Sequence, residues 1–119
     1  MSPSYVAGDI ANDEINRTAV DLAVAKFGRL DAVIFNAGVL DPVTRIANSS
    51  VSEWRRLYDI NVLSIISMLT YAVPHLRKHG GRAVFVSSGA SISHYVSRFP
   101  VAVLLLSADL DCLGSLWQL

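Results

Sequence analysis

The chain predicts an α/β domain built on a parallel sheet, and three observations carry that expectation. Strand-like apolar runs alternate with helical periodicities from Tyr5 to about Gly89, the connections between them are short, and the two clearest runs are continuously apolar, as strands covered on both faces are. At 119 residues, with 52% apolar and 17% charged, the chain is sized for one domain with a real core and lies far from the composition of disorder.

The elements follow in order. Tyr5-Val-Ala-Gly-Asp9 has the pattern of a strand end. Asn12 then offers an N-cap, and Ile15, Ala19, Leu22, Ala23 and Phe27 recur at helical spacing until Gly28 stops the run. Leu30 to Phe35 is a second strand, which breaks at the small residues Asn36-Ala37-Gly38. Ser50 and Glu53 form a capping-box pattern ahead of a stripe made by Trp54, Leu57, Tyr58, Ile65, Leu69 and Leu76. This helical region, in one or two pieces, runs to His79, with Pro74 expected to kink or interrupt its last part. Gly80-Gly81 ends it, and Arg82 to Ser88 forms a third strand ending in hydroxyl side chains. Past Gly89 the periodicity fails: 91–100 is polar without a period, and 101–119 has apolar clusters without caps.

Charge and composition exclude several classes. Ten basic and ten acidic residues cancel, and no basic run occurs, so neither nucleic acid nor an anionic membrane is an expected partner. Val101–Leu106 is the most apolar stretch and falls far short of the ~20 residues of a span. The single Cys112 can form no internal disulfide, and the first residues lack a signal-peptide pattern, so a reducing, cytoplasmic setting is expected. His75, His79 and His94 have no metal-ligand spacing, and no metal is expected.

In open α/β sheets ligands sit beyond the carboxyl ends of the strands, and four places there stand out: Asp9-Ile10, Asn36-Ala37-Gly38, Asn61 within the long helix, and Ser87-Ser88. Read from the residues alone, Asp9 ends a strand or leads a helix, Asn36-Ala37-Gly38 is a turn, Asn61 kinks a helix and the serines are a polar strand end. In this order and at these separations, with Asp59-Ile-Asn-Val62 and Val84-Phe-Val-Ser-Ser88 in the set, residues 5–91 resemble the short-chain dehydrogenase/reductase family, nearest to its carbonyl-reducing members.

The resemblance implies a partial, incomplete Rossmann-like doubly wound parallel sheet over 1–91, with 92–119 a divergent tail. It implies NAD or NADP as cofactor and reduction of a small-molecule carbonyl. Asp9 and Ile10 would contact adenine, and Asn36, Ala37 and Gly38 would line the ribose. Asn61 would hold a water of the proton relay, and Ser88 would polarise the substrate carbonyl. Phe35 stands where the family often has a second Asn.

Two departures shape the activity expected. The family's proton donor is a Tyr acidified by a Lys one helical turn later, but Val101 and Leu105 occupy the corresponding region, and no Lys follows Lys78. The glycine-rich pyrophosphate turn is also absent, so phosphate binding should be very weak. As written, the chain is expected to be inactive. The alternatives are a non-catalytic fragment that associates with a full-length relative through the 58–79 helix, as a homo- or hetero-oligomer, and a non-functional product of a mis-assigned gene segment. The family sheet order 3-2-1-4-5 would place two strands between those at Tyr5 and Leu30. Without them, either these two pair directly or their edges stay open, while the strands at Leu30 and Arg82 can pair as in the family.

Overall fold

A computed structural model describes residues 2–41 and 43–87. The tail, with Ser88, His94 and Cys112, lies outside the described residues, as does the expectation that 92–119 diverges.

Helix α1, Asp13–Phe27, begins where expected. Asn12 caps it by accepting from the Glu14 N–H, Asp13 and Glu14 place negative charge on its first turn, and Gly28 closes it at φ 75°. Its deepest line is Asn16 and Val20, with Ile15, Ala19, Leu22, Ala23 and Phe27 flanking it half-buried. The apolar stripe marked the right side of the helix, while the buried centre is one position further round, at polar Asn16 and apolar Val20.

Strands β1, Ala32–Phe35, and β2, Arg82–Phe85, pair in parallel with Phe35 opposite Phe85, and the two rings stack 4.8 Å apart. The ladder continues one residue further, since the Val86 N–H donates to the Phe35 carbonyl at 2.9 Å. The segment 5–9 is no strand, and Tyr5 is solvent-exposed. A strand is held by its ladder, and among the described residues this segment has no neighbour with which to form one. Of the two arrangements expected for the sheet, the edges therefore stay open.

A short 3₁₀ turn, Ile46–Asn48, leads to α2, Val51–Tyr58, whose first turn carries the full capping box between Ser50 and Glu53. A π-helical turn, Asp59–Leu63, follows, and α3, Ser64–Arg77, runs through Pro74 without interruption. The break in this long run therefore sits at Asn61, not at Pro74. The buried positions are Leu57 before this turn and Ser64, Ala72 and Leu76 after it. By length and composition alone, the run Val51–Arg77 is long and apolar enough to cross a bilayer. Here its buried line packs against α1, as the central helix of a water-soluble α/β unit also would.

The core is Val20, Ala72 and Leu76, with Val24, Leu30, Val33, Met68 and Tyr71 packed around it. Gly81 is required by close approach: a Cβ there would meet Leu76 Cδ2 at 2.7 Å and the Asp31 carbonyl at 2.9 Å. Tight passage from α3 into β2 thus brings the two strands into register, with their carboxyl ends side by side.

Candidate cofactor site

At that shared end of the sheet, the backbone after β1 is gripped by a helix side chain. Asn61 Oδ1 accepts from the Val39 N–H at 2.8 Å, and Asn61 Nδ2 donates to the Val39 carbonyl at 2.8 Å. One amide thereby satisfies both polar groups of a loop residue that no ladder reaches. The π turn is what carries Asn61, and such turns recur at functional positions because they break the regular spacing of a helix. The Asn61 side chain thus holds Val39, the last residue of the segment Asn36-Ala37-Gly38-Val39 that follows β1.

Gly38 lies against this clamp. A Cβ built there would sit 3.5 Å from Asn61 Oδ1, an ordinary contact, so neighbouring chain atoms do not themselves demand glycine. The bare backbone leaves room for close approach from outside.

Ile10, Asn36 and Ala37 line one cleft of about 100 Å³, together with Val33, Ile34, Phe35, Asn16, Ser64, Ile65 and Met68. Three of the five residues expected at the adenosine half of a cofactor thus share a mostly apolar recess. Gly38 is adjacent in the chain, and Asp9 is next to Ile10. The Asp9 carboxylate is fixed by two partners: Oδ1 accepts from the Ala11 N–H at 3.0 Å, and Oδ2 accepts from Arg56 Nη2 at 2.6 Å. The Ala11 hydrogen bond first and the Arg56 guanidinium second hold its pKa below the usual carboxylate value. An ionised, acceptor-only Asp9 suits an amine donor.

Arg56, Asn16 and Val39 were not singled out from the sequence. Asn16 could have been, because a polar side chain four residues before Val20 falls on the buried face of α1. Arg56 and Val39 had no such signal, since their roles depend on contacts distant in the chain. Ser87 follows β2 at the same end of the sheet as Asn36. Among the described residues, no group of acidic, His or Cys side chains could hold a metal.

These features belong together in one known class of protein. The family model for short chain dehydrogenase matches residues 2–100, so the chain belongs to that family. An uncharacterized oxidoreductase of Schizosaccharomyces pombe is 48% identical over 88 residues, covering 74% of this chain and 35% of the relative. Benzil reductase ((S)-benzoin forming) of Saccharomyces cerevisiae is 38% identical over 97 residues, covering 76% of this chain and 37% of that protein. The chain therefore spans about a third of the length of these curated relatives.

Among solved structures, a short-chain dehydrogenase/reductase from Saccharomyces cerevisiae superposes with a TM-score of 0.88 at 35% identity, over 97% of this chain and 46% of that one. Carveol dehydrogenase from Mycobacterium avium in complex with NAD superposes at 0.76 with 26% identity, over 85% of this chain and 37% of that one. The fold here is a fragment of the Rossmann-like fold of that family, and a nicotinamide dinucleotide is the cofactor it implies.

The residues present fit one half of such a cofactor. An ionised Asp9, an apolar cleft beside it and an open glycine backbone suit an adenosine. The pyrophosphate has no comparable seat among the described residues, where no glycine-rich turn opens a helix.

Proposed function

We propose that this chain carries the adenosine-contacting and loop-positioning part of an NAD(P)H-dependent oxidoreductase that reduces small-molecule ketones or aldehydes, and that the 119 residues alone do not turn over. The observation that carries the reading is the two-way grip of Asn61 on Val39 at the carboxyl end of β1. It holds the loop between strand and cofactor cleft in one conformation before any ligand arrives. When bound, the nicotinamide supplies hydride to a carbonyl carbon. Asp9 and Ile10 bind the base, Asn36, Ala37 and Gly38 bound the ribose, and Ser88 donates to the carbonyl oxygen.

Inactivity is expected because a reduced carbonyl needs a proton, and the sequence supplies no Tyr-x-x-x-Lys pair after Ser88. The chain incubated with NADPH and a panel of ketones and aldehydes should oxidise no more cofactor than its Ser88→Ala variant. Turnover clearly above that control overturns the inactivity. The family function is tested separately by grafting residues 5–87 into the benzil reductase relative. The graft should reduce carbonyls, and a graft that folds and binds no cofactor refutes the reading of the site.

A second reading has its own support. Tyr58, Leu63 and Ile66 are exposed apolar residues on the outer side of the 51–77 helical run, and such a face suits association with an intact relative. Co-expression of the tagged chain with a full-length relative should yield a mixed complex that a Leu63→Lys, Ile66→Lys variant loses. Recovery of the tagged chain alone removes this reading.

A further inference from the structure

We propose that Asn16 is a positioning residue for the base-binding carboxylate of Asp9, acting through a single peptide plane; the proposal rests on reading Asp9 as the adenine contact. Asn16 is 1% exposed, in the seam between α1 and α3, on a line where an apolar side chain would pack. Its Nδ2 donates to the Ile10 carbonyl at 2.8 Å and to Ser67 Oγ at 2.9 Å. Ser67 donates onward to Asp13 at 2.6 Å, and the Tyr71 hydroxyl donates to the same carboxylate.

Helix α1 has no need of this bond for its own start, because Asn12 already caps it. What the bond fixes lies outside the helix. The Ile10 carbonyl and the Ala11 N–H belong to one planar peptide unit, so holding the first orients the second. That second group is the donor to Asp9 Oδ1 at 3.0 Å. A chain of fixed groups therefore runs from Asn16, through the Ile10–Ala11 peptide, to the Asp9 carboxylate. Arg56 holds the other carboxylate oxygen from α2.

An unpaired buried amide is costly, so Asn at this depth is tolerated only with its partners in place. Replacing Asn16 by Leu removes the grip on Ile10 while keeping the same branched arrangement of heavy atoms. Replacing Ser67 by Ala removes the other partner of Asn16 and leaves that grip.

The isotope-labelled 119-residue chain, titrated with adenosine and with acid, separates the roles. Asn16→Leu should bind adenosine about ten-fold more weakly than the parent. It should also raise the Asp9 carboxyl titration, read by carbon NMR, toward the ordinary carboxylate value. Ser67→Ala should leave both within two-fold of the parent on the affinity scale. Asn16→Ala serves the same test if Asn16→Leu does not fold. The proposal is overturned if Asn16→Leu leaves affinity and titration unchanged, or if both variants weaken binding in proportion to lost stability. If the parent binds no adenosine, the adenine reading fails with it, while a response of Asp9 to Asn16→Leu would show the peptide-plane coupling by itself.

Discussion

The α1–α3 pair and the two-stranded sheet are adjoining regions held to very different standards. Between the helices, Val20, Ala72 and Leu76 are sealed from water, and the buried polar residues Asn16 and Ser64 both have hydrogen-bond partners. In the sheet, alternate residues of both strands face outward uncovered: Ile34 is 65% exposed, Val84 44% and Val86 52%. Strand residues alternate faces, so these three belong to one apolar face, while Val33, on the other, packs into the helical core. Helices thus cover one face of the sheet among the described residues. The helical layer is complete as a local unit, whereas the sheet has the surface of an element built for neighbours. The difference accords with a chain that spans about a third of its relatives: contacts between near segments survive intact, and contacts with the rest of the sheet are those left open.

The sharpest way to break this comparison is to empty the helical core. Leu76→Ala removes a residue that touches both the core cluster and the Gly81 turn into β2, and should cost about 2–4 kcal/mol. With so few sealed residues, that loss should abolish cooperative thermal unfolding followed by circular dichroism. A variant that still unfolds cooperatively near the parent midpoint would mean that the sheet, not the helix pair, carries the stability.

A smaller effect should follow at the junction of the two regions. Asn61→Leu strips both polar groups of Val39 of their partner, and should cost about 1–3 kcal/mol. Hydrogen exchange should quicken at the Val39 amide and leave the amides of α1 unchanged. Protection retained at Val39 would show that the loop is held by something other than this side chain.

The helical seam also predicts a response to pH. The Asp13 pKa is lowered, by the Ser67 hydrogen bond first and the Tyr71 hydrogen bond second. A carboxyl depressed in the folded state stabilises it above the unfolded carboxyl value of about 3.9, and this contribution is lost as pH falls through the folded value. Tyr71 shows the converse: its pKa is raised, chiefly by the hydrogen bond to Asp13. Its contribution is present below the ordinary tyrosine value of about 10 and is lost as pH rises through the folded value. Urea midpoints of the parent should therefore drop at both extremes, and those of Asp13→Asn should be lower at neutrality and flatter at each end. Parallel profiles for the two proteins would show that this cluster does not titrate with folding.

Much of the helical layer was legible because its signals are local. Asn12, Gly28, Ser50 and Glu53 act on backbone groups within a turn of themselves, so spacing alone places them. The strand pair was legible through continuous apolar runs and the small residues that end them. The segment at Tyr5 has a strand's local pattern and forms none, because a strand is held by its neighbours, and the two that the family order places between it and β1 are absent from the sequence. The stripe of the long helix was legible, with Leu57 and Leu76 buried and Trp54, Ile65 and Leu69 half-buried, whereas nothing in a 3.6-residue period announces the π turn at Asn61. At the site, the residue types at Asp9, Ile10 and Asn36–Gly38 were visible as strand-end chemistry. Of their supports, Asn16 was legible as a polar side chain on the buried face of α1, whereas Arg56 on α2 was not, because its contact with Asp9 joins segments that meet only when the chain folds.

The least costly substitution bears most directly on what the open sheet face is for. Ile34→Thr with Val84→Thr keeps β-branched residues in both strands and replaces two exposed apolar side chains by polar ones. Because neither side chain is sealed from water, the change in stability should stay within about 0.5 kcal/mol for each substitution. An uncovered apolar face beside open strand edges favours self-association, so the same variant should remain monodisperse at concentrations where the parent aggregates, read by light scattering. A large loss of stability would mean that this face is packed in solution by part of the chain, and that the sheet is no less complete than the helices beside it.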